Sequence, residues 1–448
     1  MKLFKHIFSV FSCILLLAGC TKNFEKFNTN PIGLNDQQLD ADFTYISALL
    51  HQAQRFVISQ DVGTYQLAEN LSSDSYAGYM GAQAPFRSNS NNLNYDLVDG
   101  WNASIWTSRY SNVMNPVYKI IKLAEENETY KDLDALARII RVSAMSRVSD
   151  KIGPIIYSQY NVLNEKDYIA YDAQKDVYPL FFKDLESAIN TLKGLAASTV
   201  SPHMKKSDLA YTSNNYKNWL AYANTLRLRL ALRVVYIDPV MAKTQGEAAL
   251  DPANGGLLAE NSQNCFVALN SPTHPLNIIG YEWSDTRMGA PMESILGGYN
   301  DPRLPRYFEP ATDASLAGQY KGIRIGIEID EKSRYDGHSK LDFYNENKMQ
   351  LMVAAESWFL KAEAALRGWA NAGNIQTNYD TGIERSLAMY NLSAATAAYI
   401  NDAVSKPKPY IDPKSVNPGQ NNILAGSPYL STITKKWDNA DNANRKLE

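Results

Sequence analysis

The segment from Trp219 to Val235 constrains the fold more than any other, because it is apolar on nearly every side and is broken only by Arg227, Arg229 and Arg233. A helix of that composition has to lie between other helices, with its guanidinium groups paired or reaching solvent. Asp238-Pro239 ends it, since the residue before a proline is pushed out of the helical region. Its neighbours are legible from the same 3.6-residue period. Pro116 suits the first turn of a helix through Asn127 that carries Val117, Ile120, Ile121 and Ala124 on one stripe. A second helix from about Leu133 aligns Leu133, Leu136, Ile140 and Ala144 and stops before Gly153-Pro154, giving a helical hairpin. A third presents Val177, Phe181, Leu185, Ile189 and Leu192 and ends at Gly194. A fifth, from about Met349 to Gly368, is lined by Ala354, Ala355, Ala362, Ala364 and Ala365, small residues that let a neighbour approach closely. Period-2 alternation is scarce, so the expected class is all-α.

The N-terminus reads as a secretory leader for lipid attachment. Lys2 and Lys5 precede an apolar run from Ile7 to Ala18, which is well short of the about 20 residues needed to span a bilayer. Leu17-Ala18-Gly19-Cys20 has the form of a lipobox, which predicts removal of residues 1–19 and acylation of Cys20. Two or more acyl chains hold a protein stably on a membrane. Of the other cysteines, Cys13 leaves with the leader. Cys265 sits in the apolar run Cys265-Phe266-Val267-Ala268-Leu269 and is expected to be a buried small hydrophobe. One thiol builds neither an internal disulfide nor a cysteine-based zinc site. Acidic residues number 47 and basic residues 44, so the net charge of -3 gives no field that favours nucleic acid. With 28 Tyr against 5 His, the chain is stocked for ring and amide surfaces more than for acid/base or metal work, and neither a cofactor nor a metal is expected.

Between Asp238 and Met349 the texture changes to Gly, Pro, Asn and aromatic clusters, such as Asn254-Gly255-Gly256 and Asp301-Pro302-Arg303-Leu304-Pro305. This region, about 238–349, reads as a large loop-rich insertion with one short hairpin, and Ser72 to Asn102 reads as a second long loop. Loops of such length in a compact domain are functional or disordered.

Two long helix motifs are familiar. Lys217-Asn218-Trp219-Leu220-Ala221-Tyr222-Ala223-Asn224-Thr225-Leu226-Arg227-Leu228-Arg229-Leu230-Ala231-Leu232-Arg233 resembles the "kW..fAN.LrLRlA.R" helix of SusD-like (RagB-type) nutrient-binding lipoproteins. Ala354-Ala355-Glu356-Ser357-Trp358-Phe359-Leu360-Lys361-Ala362-Glu363-Ala364-Ala365-Leu366-Arg367-Gly368-Trp369 resembles their "aAE..FLkAEAalrGW" helix. The Trp106 to Asn115 segment, Ser149-Asp150-Lys151-Ile152-Gly153-Pro154 and Asp301-Pro302-Arg303-Leu304 extend the likeness over most of the chain. The resemblance implies tetratricopeptide-like helix pairs in a single domain over 20–448. It also implies a loop-borne ligand site, an outer-membrane location facing the exterior, and a SusC-like TonB-dependent transporter as partner. The sequence itself offers one partial small-then-aromatic match, Ala355-x3-Phe359, and no strict 34-residue period. Family members continue past the point where this chain stops, at Leu447-Glu448, so the sequence reads as truncated.

A sugar has an apolar face rimmed by hydroxyls, so its site needs flat rings flanked by amides or guanidinium groups. Burying about 100 Å² of such a face yields roughly 2.5 kcal/mol, short of the about 4.1 kcal/mol of a millimolar complex. Two or three rings are therefore required. The first candidate group is Tyr76, Tyr79, Phe86, Arg87 and Asn89. The second is Tyr281, Trp283 and Arg287 with Tyr335, Phe343 and Tyr344. Any one of these is more often a local plug than a contact. Trp106, Trp219, Trp358 and Trp369 fall within helix motifs and are expected in the core, and Trp101 stays undecided. Rival classes are a surface lipoprotein that binds peptide or protein, and a glycosidase using Glu282 and Asp285 around Trp283. No nucleophile elbow, zinc-protease helix or phosphate-binding glycine loop is present.

Overall fold

A computed structural model describes residues 41–211, 215–342 and 347–438. Two compact units are distinguished, Met1–Ile46 and Ser47–Glu448. The described part of the first is a 3-10 turn, Ala41–Phe43, and the start of helix α1, Thr44–Arg55. The expected leader and Cys20 lie outside the described residues.

The second unit is built on helical hairpins, as the periodicity predicted. After α2 (Asp99–Arg109) come α3 (Asn115–Glu126), α4 (Lys131–Ile152), α5 (Gln174–Leu195), α6 (Tyr216–Arg233) and α7 (Pro239–Leu250), and α3 to α7 each pack on the next in sequence. Pro116 sits in the first turn of α3, and Gly153, at φ 96°, terminates α4. The anticipated stripes are buried: Val117, Ile120 and Ile121 on α3, Leu133, Leu136 and Ile140 on α4, Val177, Phe181, Leu185, Ile189 and Leu192 on α5. At about 25 cal/mol per Å² this continuous apolar seam is the main stabilising term.

Helix α6 lies inside, as its all-round apolarity required. Trp219 is fully buried and its indole N–H donates to Asp208 at 2.9 Å, while the Tyr222 hydroxyl meets that of Ser143 at 2.8 Å. Its arginines are paired. Arg227 donates to the Gln245 amide oxygen on α7, Arg229 forms a two-pronged pair with Glu356, and Arg233 meets Asp150 of α4 at 2.6 Å.

The stretch expected as one long helix from Met349 divides. Lys348–Met352 is a strand that pairs antiparallel with Cys265–Ala268, and helix α9 (Ala354–Leu366) begins only after Val353. Met349 and Leu351 are buried while Lys348 and Gln350 are exposed, a two-residue alternation too short to separate from the adjoining alanine-rich helix. The Cys265 thiol is fully buried, and burial pushes its pKa up. Helix α10, Ile375–Ala388, packs on α9 and was not anticipated.

The region after Asp238 is more ordered than its composition implied. It opens with α7 and contains α8, Ala290–Gly298. In place of a local hairpin, strand Thr286–Met288 pairs antiparallel with Met80–Ala82, stitching the two expected loops together. Among the described residues no helix is long and apolar enough to cross a membrane.

Candidate functional site

The junction of these two loop regions is made backbone to backbone. Met80 pairs with Met288, Gly289 donates to the Tyr79 carbonyl at 2.9 Å, and Ile323 donates to the Met288 carbonyl at 2.8 Å. Such close approach needs glycine. A Cβ on Gly289 would lie 2.3 Å from the Gly78 carbonyl oxygen, and one on Gly322 would lie 2.6 Å from the Gly289 backbone. Beneath, the buried Glu293 of α8 holds the Lys321 ammonium and the Gly322 N–H, each at 2.9 Å. Tyr410, also buried, donates its hydroxyl to the Gly322 carbonyl at 3.0 Å. Burial drives the Tyr410 hydroxyl pKa upward, with nearby carboxylates adding to the shift, so it stays a neutral donor.

Above this floor is a groove of about 440 Å³. Its walls include Tyr76, Tyr95, Ile295, Arg324, Tyr410 and Tyr429. The Tyr76 and Tyr95 rings are nearly parallel, at 7°, with centroids 6.0 Å apart. Tyr76 is anchored by its hydroxyl on the Asn92 carbonyl at 2.8 Å. Tyr95 is presented by a turn built on amides. Asn91 accepts from the Leu93 N–H, and Asn92 accepts from Val98 and donates to Asn102. The two rings remain 48% and 82% exposed, and Tyr429 is 84% exposed. Large aromatic faces held in place yet left in water are a ready surface for an apolar ring face.

A larger cavity of about 990 Å³ lies along α4, α6 and α9. Its lining is charged, and Arg229, Glu356, Arg233 and Asp150 pair with one another as struts between helices. Among the described residues it offers no comparable set of rings, Tyr76 being the one aromatic residue that lines it.

Of the first sequence-derived group, Tyr76 lines the groove. Tyr79, 52% exposed, lies on the neighbouring strand approach. Phe86 meets Trp101 edge to face, with centroids 6.0 Å apart, and is half-buried. Arg87 is exposed at φ 52°, its Nε donating to the Ser90 carbonyl at 3.3 Å. The Asn89 amide is spent on a two-way clasp with Ile329, donating to its carbonyl at 2.9 Å and accepting from its N–H at 3.0 Å.

The described members of the second group, Tyr281, Trp283, Arg287 and Tyr335, do not line the groove. Arg287 is 1% exposed, bonding the Thr286 and Asp336 carbonyls and the Ser284 hydroxyl, and burial lowers its pKa to about 10. Tyr335, equally buried, donates to Asp412 at 2.8 Å. Tyr281 donates to Glu309 at 2.7 Å, and Trp283 is exposed elsewhere. Phe343 and Tyr344 lie outside the described residues. Glu282 is exposed, while Asp285 takes hydrogen bonds from Gln66 at 2.8 Å and Lys332 at 2.7 Å, so the two do not form a free facing pair. Among the described residues no group of three His, Cys, Asp or Glu is arranged to hold a metal.

Tyr95, Arg324 and Tyr429 were missed from sequence. Tyr95 follows the amide-rich Asn91-Asn92-Leu93-Asn94 inside a loop already singled out, a signal that could have found it. Arg324 and Tyr429 carry none.

No curated protein matches the chain at a significant level. The SusD-like model, described as Susd and RagB outer membrane lipoprotein, matches residues 26–448. A chitin-binding SusD homologue from Flavobacterium johnsoniae is 35% identical with a TM-score of 0.82, the match covering 90% of this chain and 81% of that one. A SusD-like protein from Bacteroides thetaiotaomicron is 29% identical with a TM-score of 0.81, covering 90% and 81%. A SusD homologue from Bacteroides vulgatus is 28% identical with a TM-score of 0.81, covering 91% and 81%. The helical hairpins, the ordered joining of the two loop regions and the match over residues 26–448 together place this chain in the SusD/RagB family of outer-membrane lipoproteins.

Proposed function

We propose that the protein captures an oligosaccharide at the cell surface on Tyr76, Tyr95 and Tyr429 and passes it to a SusC-like TonB-dependent transporter, without catalysis. The observation that carries this reading is the pair of nearly parallel, water-exposed tyrosine rings in a groove with a hydrogen-bonded floor. Three rings meet the requirement set by the energy of one sugar face. The chitin-binding activity of the Flavobacterium johnsoniae homologue supports a glycan as ligand. Removal of residues 1–19 and acylation of Cys20 would tether the remaining 20–448 domain to the outer membrane, facing the exterior.

Affinity electrophoresis of the purified protein through gels containing chitin-derived, neutral and acidic polysaccharides tests the reading. Retardation by at least one glycan, relieved in a Tyr76→Ala/Tyr95→Ala double variant, is expected. Retardation by none, together with tight binding to a peptide or protein, would transfer the chain to the protein-binding class.

A further inference from the structure

We infer that the groove selects oligosaccharides bearing an anionic substituent, a carboxylate or a sulfate ester, which Arg324 binds while neighbouring sugars lie on Tyr76 and Tyr95. The inference rests on the glycan-capture reading above and adds the charge of the ligand to it. Arg324 is the one charged residue lining the groove among the described residues, and no acidic side chain lines it. No described residue hydrogen-bonds or ion-pairs with its guanidinium. Its counterparts elsewhere are satisfied within the fold: Arg229 by Glu356, Arg303 by Asp301, Arg109 by Glu69.

The surroundings reinforce the sign. Glu293, under the floor, is neutralised by the buried Lys321 at 2.9 Å. Lys408 stands 4.0 Å from the same carboxylate with its side chain 46% exposed, and Lys406, next in sequence to groove-lining Pro407, is exposed. Asp96, beside Tyr95, accepts from the Ser90 hydroxyl and does not line the groove. Asp412, behind Tyr410, is held by hydrogen bonds from Tyr335 and Asn421 and does not line the groove, so the charge presented to a ligand there is that of the Arg324 guanidinium. A concave, partly apolar wall focuses such a field. A guanidinium presents a planar fork of donors matched to two anionic oxygens, and charge-assisted bonds are about twice as strong as neutral ones.

The test uses matched pairs and the full protein in isothermal titration: oligogalacturonate against its carboxyl-reduced form, and a sulfated galactan oligosaccharide against its desulfated, neutral form. A charged member of either pair should bind about ten- to a hundredfold more tightly than its altered counterpart, and the pair that responds names the substituent. That affinity should fall with added salt while neutral binding does not. Arg324→Gln, checked for an unchanged melting temperature, should bring the charged ligand to the level of the neutral one. Equal or tighter binding of the neutral members, with no salt dependence in the wild type, overturns the anionic selection and leaves glycan capture standing. Failure to bind any member of this set or of the polysaccharide gels removes both.

Discussion

Replacing Tyr95 by alanine removes one of the two most exposed platforms, and the ring contact it gives up is its stacking on Tyr76. The ring is 82% exposed, so its loss uncovers little of the core, and surface substitutions of this kind stay within about 0.5 kcal/mol of wild-type stability. A sugar face covering roughly 100 Å² of ring contributes about 2.5 kcal/mol, which corresponds to a rise in Kd of about seventyfold. Losses to solvent from an imperfect fit lower that to about ten- to fiftyfold, still large against measurement error. Isothermal titration with the tightest ligand from the polysaccharide panel reads the change, and differential scanning calorimetry confirms the fold. A Kd within twofold of wild type, with melting unchanged, would show that the stacked tyrosines are not the binding platform.

Other perturbations address the scaffold. Trp219→Ala should cost roughly 3 to 5 kcal/mol, because the fully buried indole loses both its packing and its bond to Asp208; a loss below about 1 kcal/mol in urea melts would contradict its central position. Glu356→Gln breaks the two-pronged bond from Arg229 between α6 and α9, but with the Glu356 side chain 34% exposed the cost should be only about 1 kcal/mol. Burial first, then the Glu69 charge, pushes the Asp74 carboxyl up to about 7. Folding therefore favours its protonated form: this contribution to stability is fully present below the ordinary carboxylate value near 4 and fades as pH rises through 7. Asp74→Asn should flatten the melting temperature against pH in that window, and parallel wild-type and variant curves would reject the assignment. Gly322→Ala should destabilise the protein and weaken glycan binding together, since its methyl would meet the Gly289 backbone; binding at wild-type strength would show the floor to be pliable.

The helical scaffold was legible because burial writes itself into sequence at a fixed period. Val117, Ile120 and Ile121, or Val177, Phe181 and Leu185, face the core whatever the rest of the chain does. The site was legible only in part, for a matching reason. An aromatic residue in a loop has the same local signature whether it plugs a gap, as Tyr335 does on Asp412, or faces water, as Tyr76 does. The choice depends on which distant strand pairs beneath it, and the pairing of Met80–Ala82 with Thr286–Met288 has no local code in three residues. Arg287 and Arg324 show the same ambiguity for charge: one is locked by carbonyls, the other is left open, and nothing in the adjoining residues separates them.

The Asn89–Ile329 clasp has a practical corollary for anyone exchanging specificities between relatives. The segment carrying Tyr95 and the segment carrying Arg324 are tied by the Asn89 amide and by Asn94 donating to the Gly326 carbonyl at 3.4 Å, so transplanting either alone would leave a severed pair of backbone groups and a displaced turn. Grafts should move both stretches as a single cassette, with Asn89 as its hinge pin.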